Sequence, residues 1–99
     1  METRSVHGVP IRLSGERWEH IASEHSEIAN LRDEVLRTLA TPVRVLAGNG
    51  GELLAIDEYL PGKFLVVVYR EEELDGFVIT AFFTRRSASL GRRRRVWPT

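Results

Sequence analysis

An α+β domain, with two N-terminal helices packed on one face of a four-stranded antiparallel meander, is what the sequence predicts, and three observations carry it. Apolar residues recur at helical spacing up to Leu39 and at strand spacing from Val43 onward. Turn-forming clusters at 47–51, 60–62 and 75–76 cut the second half into hairpin-sized pieces. The chain has 99 residues, 42% apolar and 28% charged, with no cysteine. That is one domain's worth of globular chain, held by packing and backbone hydrogen bonds, with neither a disulfide nor a Cys-based zinc site available to it.

The elements follow in order. Residues 1–13 read as an irregular lead-in, with Val9–Leu13 extended around Pro10. Ser14 then offers an N-cap, Glu16 and Glu19 suit the positive end of a helix dipole, and Trp18, Ile21 and Ala22 form one apolar face over 15–25. A second helix, capped by Ser26 or Asn30, carries the stripe Ile28, Leu31, Val35, Leu36, Leu39 and stops at Thr41-Pro42. Val43–Leu46 and Glu52–Tyr59 make a hairpin across the Gly-rich turn 47–51. Leu60-Pro61-Gly62 leads into the central strand Lys63–Arg70, apolar on both faces. Phe77–Thr84 is the last strong strand, and Arg92–Trp97 offers a fifth against the resistance of Pro98 and its like charges. The whole reads as one domain: core 14–86 and a basic tail 87–99.

Charge is uneven. All fourteen carboxylates and eight of the fourteen basic groups lie in residues 1–84, a formal −6, while Arg85, Arg86 and Arg92–Arg95 give residues 85–99 a formal +6. Such a basic end suits phosphates, an acidic partner, the acidic body itself, or plain solvent. No apolar run approaches the ~20 residues that span a bilayer, and Met1-Glu2-Thr3-Arg4 does not open a signal peptide, so cytoplasm is the default placement and no membrane role is expected.

His20 and His25 are five residues apart, about 140° around a helix axis, so they cannot share a metal ion from one helix. His25 falls on the apolar face at the helix's C-terminal end, where the dipole favours imidazolium and a protonated ring can serve as a general acid; an ordinary core-edge histidine bonded to a carbonyl is the reading that the residues alone favour. His20 falls on the outer face. Strict alternation in the last strand puts Val78, Thr80, Phe82 and Thr84 on an open face, and Phe77, Ile79, Ala81 and Phe83 on the helices. Thr80 among aromatics suits a base and a phosphate, or simply strand propensity. Arg70 can fork onto a phosphate or pair with Glu71–Glu73, and Lys63 can contact phosphate or end a hairpin in solvent. A glycine-rich phosphate loop and a nucleophile elbow are both missing, which sets aside nucleotide-triphosphate chemistry and serine-triad hydrolysis.

The string Glu16-Arg17-Trp18-Glu19-His20-Ile21, then Glu24-His25-Ser26-Glu27, Thr41-Pro42, Gly62–Val68 and Val78-Ile79-Thr80-Ala81-Phe82, resembles the phage-type nucleases of the Barnase/EndoU/colicin/RelE-like superfamily over residues 14–86. It departs from them at Ser26, in place of a proline, and at Ser23, in place of an arginine. The resemblance implies a small cofactor-free and metal-independent endoribonuclease of toxin–antitoxin or phage setting, cleaving RNA by 2′-OH transesterification. It places His20, His25, Arg70 and Thr80 in the catalytic set and Lys63 at the phosphate. Arg85, Arg86 and Phe82 would then add affinity for RNA.

Two alternatives stay open. One is a catalytically inactive module of the same kind, binding RNA or a protein through its open sheet face and Arg-rich tail. The other is a partner-dependent protein docking on an antitoxin or another acidic chain, with Phe82, Phe83 and Trp97 able to form a homo-oligomer interface.

Overall fold

Ser14 starts the first helix through its side chain: its hydroxyl accepts the Arg17 N–H at 3.0 Å. In the computed structural model, which describes residues 1–99, this helix (α1) runs Gly15–Glu24 and buries Trp18 and Ile21. A 3₁₀ turn at Ser26–Ile28 follows, and the second helix (α2, Arg32–Ala40) begins later than its apolar stripe implies. Its capping residue is Leu31, with no side-chain cap, so neither Ser26 nor Asn30 serves. Ile28 and Leu31 still reach the core or its margin, from the turn and the cap rather than from one continuous helix.

The four-stranded meander is replaced by a seven-stranded mixed sheet with three helices. The strands are β1 Glu2–Arg4, β2 Pro10–Arg12, β3 Arg44–Ala47, β4 Leu53–Leu60, β5 Lys63–Glu71, β6 Gly76–Thr84 and β7 Arg95–Trp97, and the third helix (α3) spans Ser87–Gly91. Their order across the sheet is β1-β2-β6-β5-β4-β3-β7. The central β3–β6 portion is an antiparallel meander, widened at one edge by residues 1–13, which read as an irregular lead-in, and at the other by β7, which falls within the fifth strand that Arg92–Trp97 offered.

Each end joins for a reason that periodicity does not carry. Residues 1–13 form a small hairpin in which Gly8, at φ +79°, makes the bend that an L side chain resists. Its β2 then runs parallel to β6, Ile11 opposite Gly76, with Ile11 and Leu13 fully buried. At the other end the arginine run is anchored by its few apolar residues. Leu90 of α3 is buried, and β7 lies antiparallel to β3, with the Ala47 N–H donating to the Arg94 carbonyl at 2.8 Å.

Two apolar clusters lie on the two faces. The larger joins α1 and α2 to Val45, Ala55, Leu65, Val67, Tyr69, Val78 and Ala81. The smaller, on the opposite face, joins Leu46, Leu54, Ile56 and Val66 to Leu90, with Phe64, Val68 and Phe82 at its margin. The face expected to be open is therefore partly covered by α3. Strict alternation in β6 also fails. Val68 pairs with Thr80 but Tyr69 pairs with Val78, so Ile79 is an extra residue at a bulge, and Val78 turns to the helix side.

Candidate functional site

The elements that meet around His25 are α1 and the outer side of β6. Because β2 pairs with β6 only at Gly76 and Phe77, the rest of β6 has β5 on one side alone, and α1 and the 3₁₀ turn lie against it. His25 caps α1, its own N–H donating to the Ile21 carbonyl at 2.8 Å. Its imidazole is half-buried, 6.1 Å from the Phe82 ring centre, and makes no side-chain hydrogen bond or ion pair. The carbonyl-bonded alternative for this residue is thus not the arrangement adopted.

Several of the other candidates gather at this end. Thr80 lies two residues back along β6 from Phe82, about 7 Å. Thr84 ends the strand, its hydroxyl accepting the Arg86 N–H at 3.1 Å, and Arg85 and Arg86 follow, exposed. Lys63 starts β5 beside it, its ammonium 4.3 Å from the centre of the Phe83 ring, which in turn tilts against Tyr59.

Two candidates do not join them. His20 points to solvent and reaches Glu24 at 3.1 Å, an i,i+4 pair on the outer surface of α1. Arg70 sits near the far end of β5, opposite Phe77, about 16 Å along β6 from Phe82. It neither pairs with Glu71–Glu73 nor stands free: its guanidinium donates to the Gly50 carbonyl at 2.9 Å and ties down the β3–β4 turn. Glu52 braces the same turn. Its carboxylate accepts the Gly50 N–H at 2.6 Å, and this bond, its own backbone N–H, and the charges of Arg70 and Arg93 hold it below the ordinary value of 4.5.

The fold assembles two further side-chain groups; sequence reasoning passed over the first, and of the second it had only the Arg92–Arg95 run and not Arg44. Ser5, His7 and Glu71 meet at the β1–β2 hairpin. The Ser5 hydroxyl donates to Glu71 and accepts the N–H groups of His7 and Val9, while His7 holds the same carboxylate at 2.9 Å. The serine meets the carboxylate and not the imidazole, so the three do not line up as a nucleophile–imidazole–carboxylate relay, and the group clasps the hairpin onto β5. The second group is arginines: Arg44, Arg93 and Arg95 line a hollow of about 250 Å³ beside Leu90. The pairing of β7 with β3 creates it, so no local spacing could have signalled it.

The largest hollow, about 550 Å³, lies elsewhere, between the start of α1 and β6, lined by Met1, Glu2, Arg12, Ser14, Arg17, Phe77 and Val78. No set of three or more His, Asp or Glu side chains is arranged to hold a metal ion, and no helix is long and apolar enough to cross a membrane. No protein-family model, curated protein or solved structure matches the chain.

Proposed function

We propose that this chain is a small metal-independent endoribonuclease of the Barnase/EndoU/colicin/RelE-like kind, acting in the cytoplasm on single-stranded RNA. The observation that carries the reading is the unpartnered, half-buried imidazole of His25 beside Phe82, at the strand end where Arg85 and Arg86 also lie without carboxylate partners. In the reaction the ribose 2′-oxygen attacks phosphorus, the P–O5′ bond breaks, and a 2′,3′-cyclic phosphate and a 5′-hydroxyl form. His25 either takes the 2′ proton or supplies the 5′ proton, and solvent completes the other transfer. Phe82 gives a face on which a base stacks, Thr80 a hydroxyl for the phosphate, and Arg85 and Arg86 positive charge for the phosphorane oxygens, while Lys63, over the Phe83 ring, lies on the helix side of the sheet. His20 and Arg70 stand outside this set.

A second reading has its own observation. Only one imidazole is available at this end, where transesterification is best served by two proton carriers, and that favours a module that holds RNA without cutting it. In a toxin–antitoxin setting, an acidic antitoxin would then meet the same arginines.

The deciding experiment is cleavage of a mixed single-stranded RNA in EDTA by the wild type, His25→Ala and Thr80→Ala. The nuclease reading expects cyclic-phosphate ends from the wild type and a loss of roughly 10²-fold or more on His25→Ala, on the order of a missing general acid–base group. Absence of cleavage by wild-type protein that still binds the RNA would establish the module.

A further inference from the structure

We infer that the arginine-lined hollow between α3 and the β3–β7 edge is a binding site for the phosphodiester backbone of single-stranded RNA. The inference rests on the reading of the chain as RNA-directed and adds a second, separate contact surface to it.

Three guanidinium groups, those of Arg44, Arg93 and Arg95, share this hollow with Leu46, Leu90 and Gly91. The ion pairs of the molecule are His7–Glu71, Arg12–Asp75, His20–Glu24 and Arg37–Glu34, so none of the three arginines has a carboxylate partner. Like charges brought together without counter-charge repel one another, and a bound anion relieves that repulsion. Arg44 adds a sharper sign: its Nε is buried without any hydrogen-bond partner. Arg93 is only loosely held, to the Ala47 carbonyl at 3.4 Å and the Asn49 side-chain oxygen at 3.5 Å, the long limit of such contacts. Glu52 feels the charge of Arg93, but its carboxylate is committed to the Gly50 N–H.

Placement favours a nucleic-acid strand. Arg44, Ile56, Val66 and Phe82 are consecutive cross-strand partners, so they lie in one row on one face of the sheet. Arg44 is therefore three strand spacings, about 14 Å, from the Phe82 that touches His25. That distance is a few nucleotides of backbone. Leu90 belongs to the same apolar cluster as Ile56 and Val66, and Arg92 and Arg94, which follow it in the chain, are exposed. Planar guanidinium forks match phosphate oxygens two at a time, which suits a strand whose charges recur at fixed intervals.

The test is fluorescence anisotropy with a short 2′-O-methyl oligoribonucleotide, which cannot undergo transesterification, titrated between about 50 and 200 mM salt. The proteins are the wild type, Arg95→Gln, Arg93→Gln/Arg95→Gln and Arg44→Gln. Arg37→Gln, which removes one charge from α2 on the opposite side of the sheet, is the control. Each hollow arginine removed should weaken binding about fivefold near 0.1 M salt and lower the salt slope by about 0.7, while Arg37→Gln binds as wild type does. Arg95 is exposed, so its variant keeps the test valid if Arg44→Gln does not fold.

Equal binding and equal slope for Arg95→Gln, the double variant and the wild type would overturn the assignment, as would a wild type that does not bind the oligonucleotide. So would unaltered RNA binding by a double variant that has lost affinity for poly-glutamate, which would give the hollow to an acidic protein. Arginine-dependent binding by a protein that never cleaves RNA would leave this site standing and remove only the nuclease reading.

Discussion

Replacing Tyr69 with phenylalanine should make the protein more stable. Tyr69 stands in the middle of the sheet, between Leu53 of β4 and Val78 of β6, with its side chain fully buried in the main cluster. Its hydroxyl has no hydrogen-bond partner. A hydroxyl moved from water to such a place forfeits about 1–3 kcal/mol, and phenylalanine avoids that cost while keeping the ring. Part of the gain is offset because the oxygen also packs against its neighbours and leaves a small void when removed. About 1 kcal/mol is therefore expected, or a Tm rise of about 4–8 °C in a domain of this size.

Titration gives a second readout on the same residue. Burial, helped by the charge of Glu71, raises the phenol above its ordinary 10.0. In the unfolded chain the phenol releases its proton near pH 10, while the folded chain keeps it. Above that pH the unfolded state binds fewer protons, and stability falls by about 1.4 kcal/mol per pH unit until the raised folded value is reached. Tyr69→Phe should abolish that part of the decline. The assay is urea unfolding at neutral pH and again above pH 10, with an unchanged m-value as the sign that only stability has moved. A Tyr69→Phe protein less stable than wild type at neutral pH would mean that the hydroxyl is hydrogen-bonded, and the reasoning would fail.

Gly76→Ala should cost about 1–3 kcal/mol by the same assay, because a β-carbon there would overlap the Arg70 carbonyl and crowd Ile11 where β2 joins β6. Wild-type stability in that variant would show the β2–β6 junction to be loose. Glu52 is held below its usual value, so the stability it contributes is present above about pH 4.5 and lost as pH falls through the folded value; Glu52→Gln should flatten the acid limb of a Tm-against-pH curve. An unchanged limb would remove Glu52 from the turn's support. Arg70→Ala should lower stability by about 0.5–1.5 kcal/mol through loss of its bond to Gly50, and leave any RNA cleavage rate as it was. A large loss of cleavage by a fully folded Arg70→Ala protein would return Arg70 to the chemistry.

The candidate site was legible where the chemistry is local. His25 at the apolar end of α1 and Thr80 and Phe82 on one strand follow from counting residues along single elements, and the structure sets His25 against Phe82. Arg70 was not legible. Its acidic neighbours Glu71–Glu73 suggested a partner along the chain, whereas its partner is a carbonyl twenty residues away that the β4–β5 pairing brings close. The face of Val78 was misjudged for a similar reason: a bulge at Ile79 answers to the register of β5 and leaves no trace in alternation.

By itself the sequence determined the features that each residue settles with its near neighbours. These are α1 under its Ser14 cap, the helical stripe before Pro42, the presence of the strands β3–β6 between their turns, and an acidic body followed by an arginine-rich end. The tertiary structure alone decided the edges: Ile11 beside Gly76, Ala47 bonded to Arg94, and therefore α3 over the second face and three arginines around one hollow. The outer strands β1, β2 and β7 have three residues each, too few to show a period, and β2 and β7 are held by backbone bonds to strands distant in the sequence. Such bonds depend on where the chain returns and very little on which side chains it carries there.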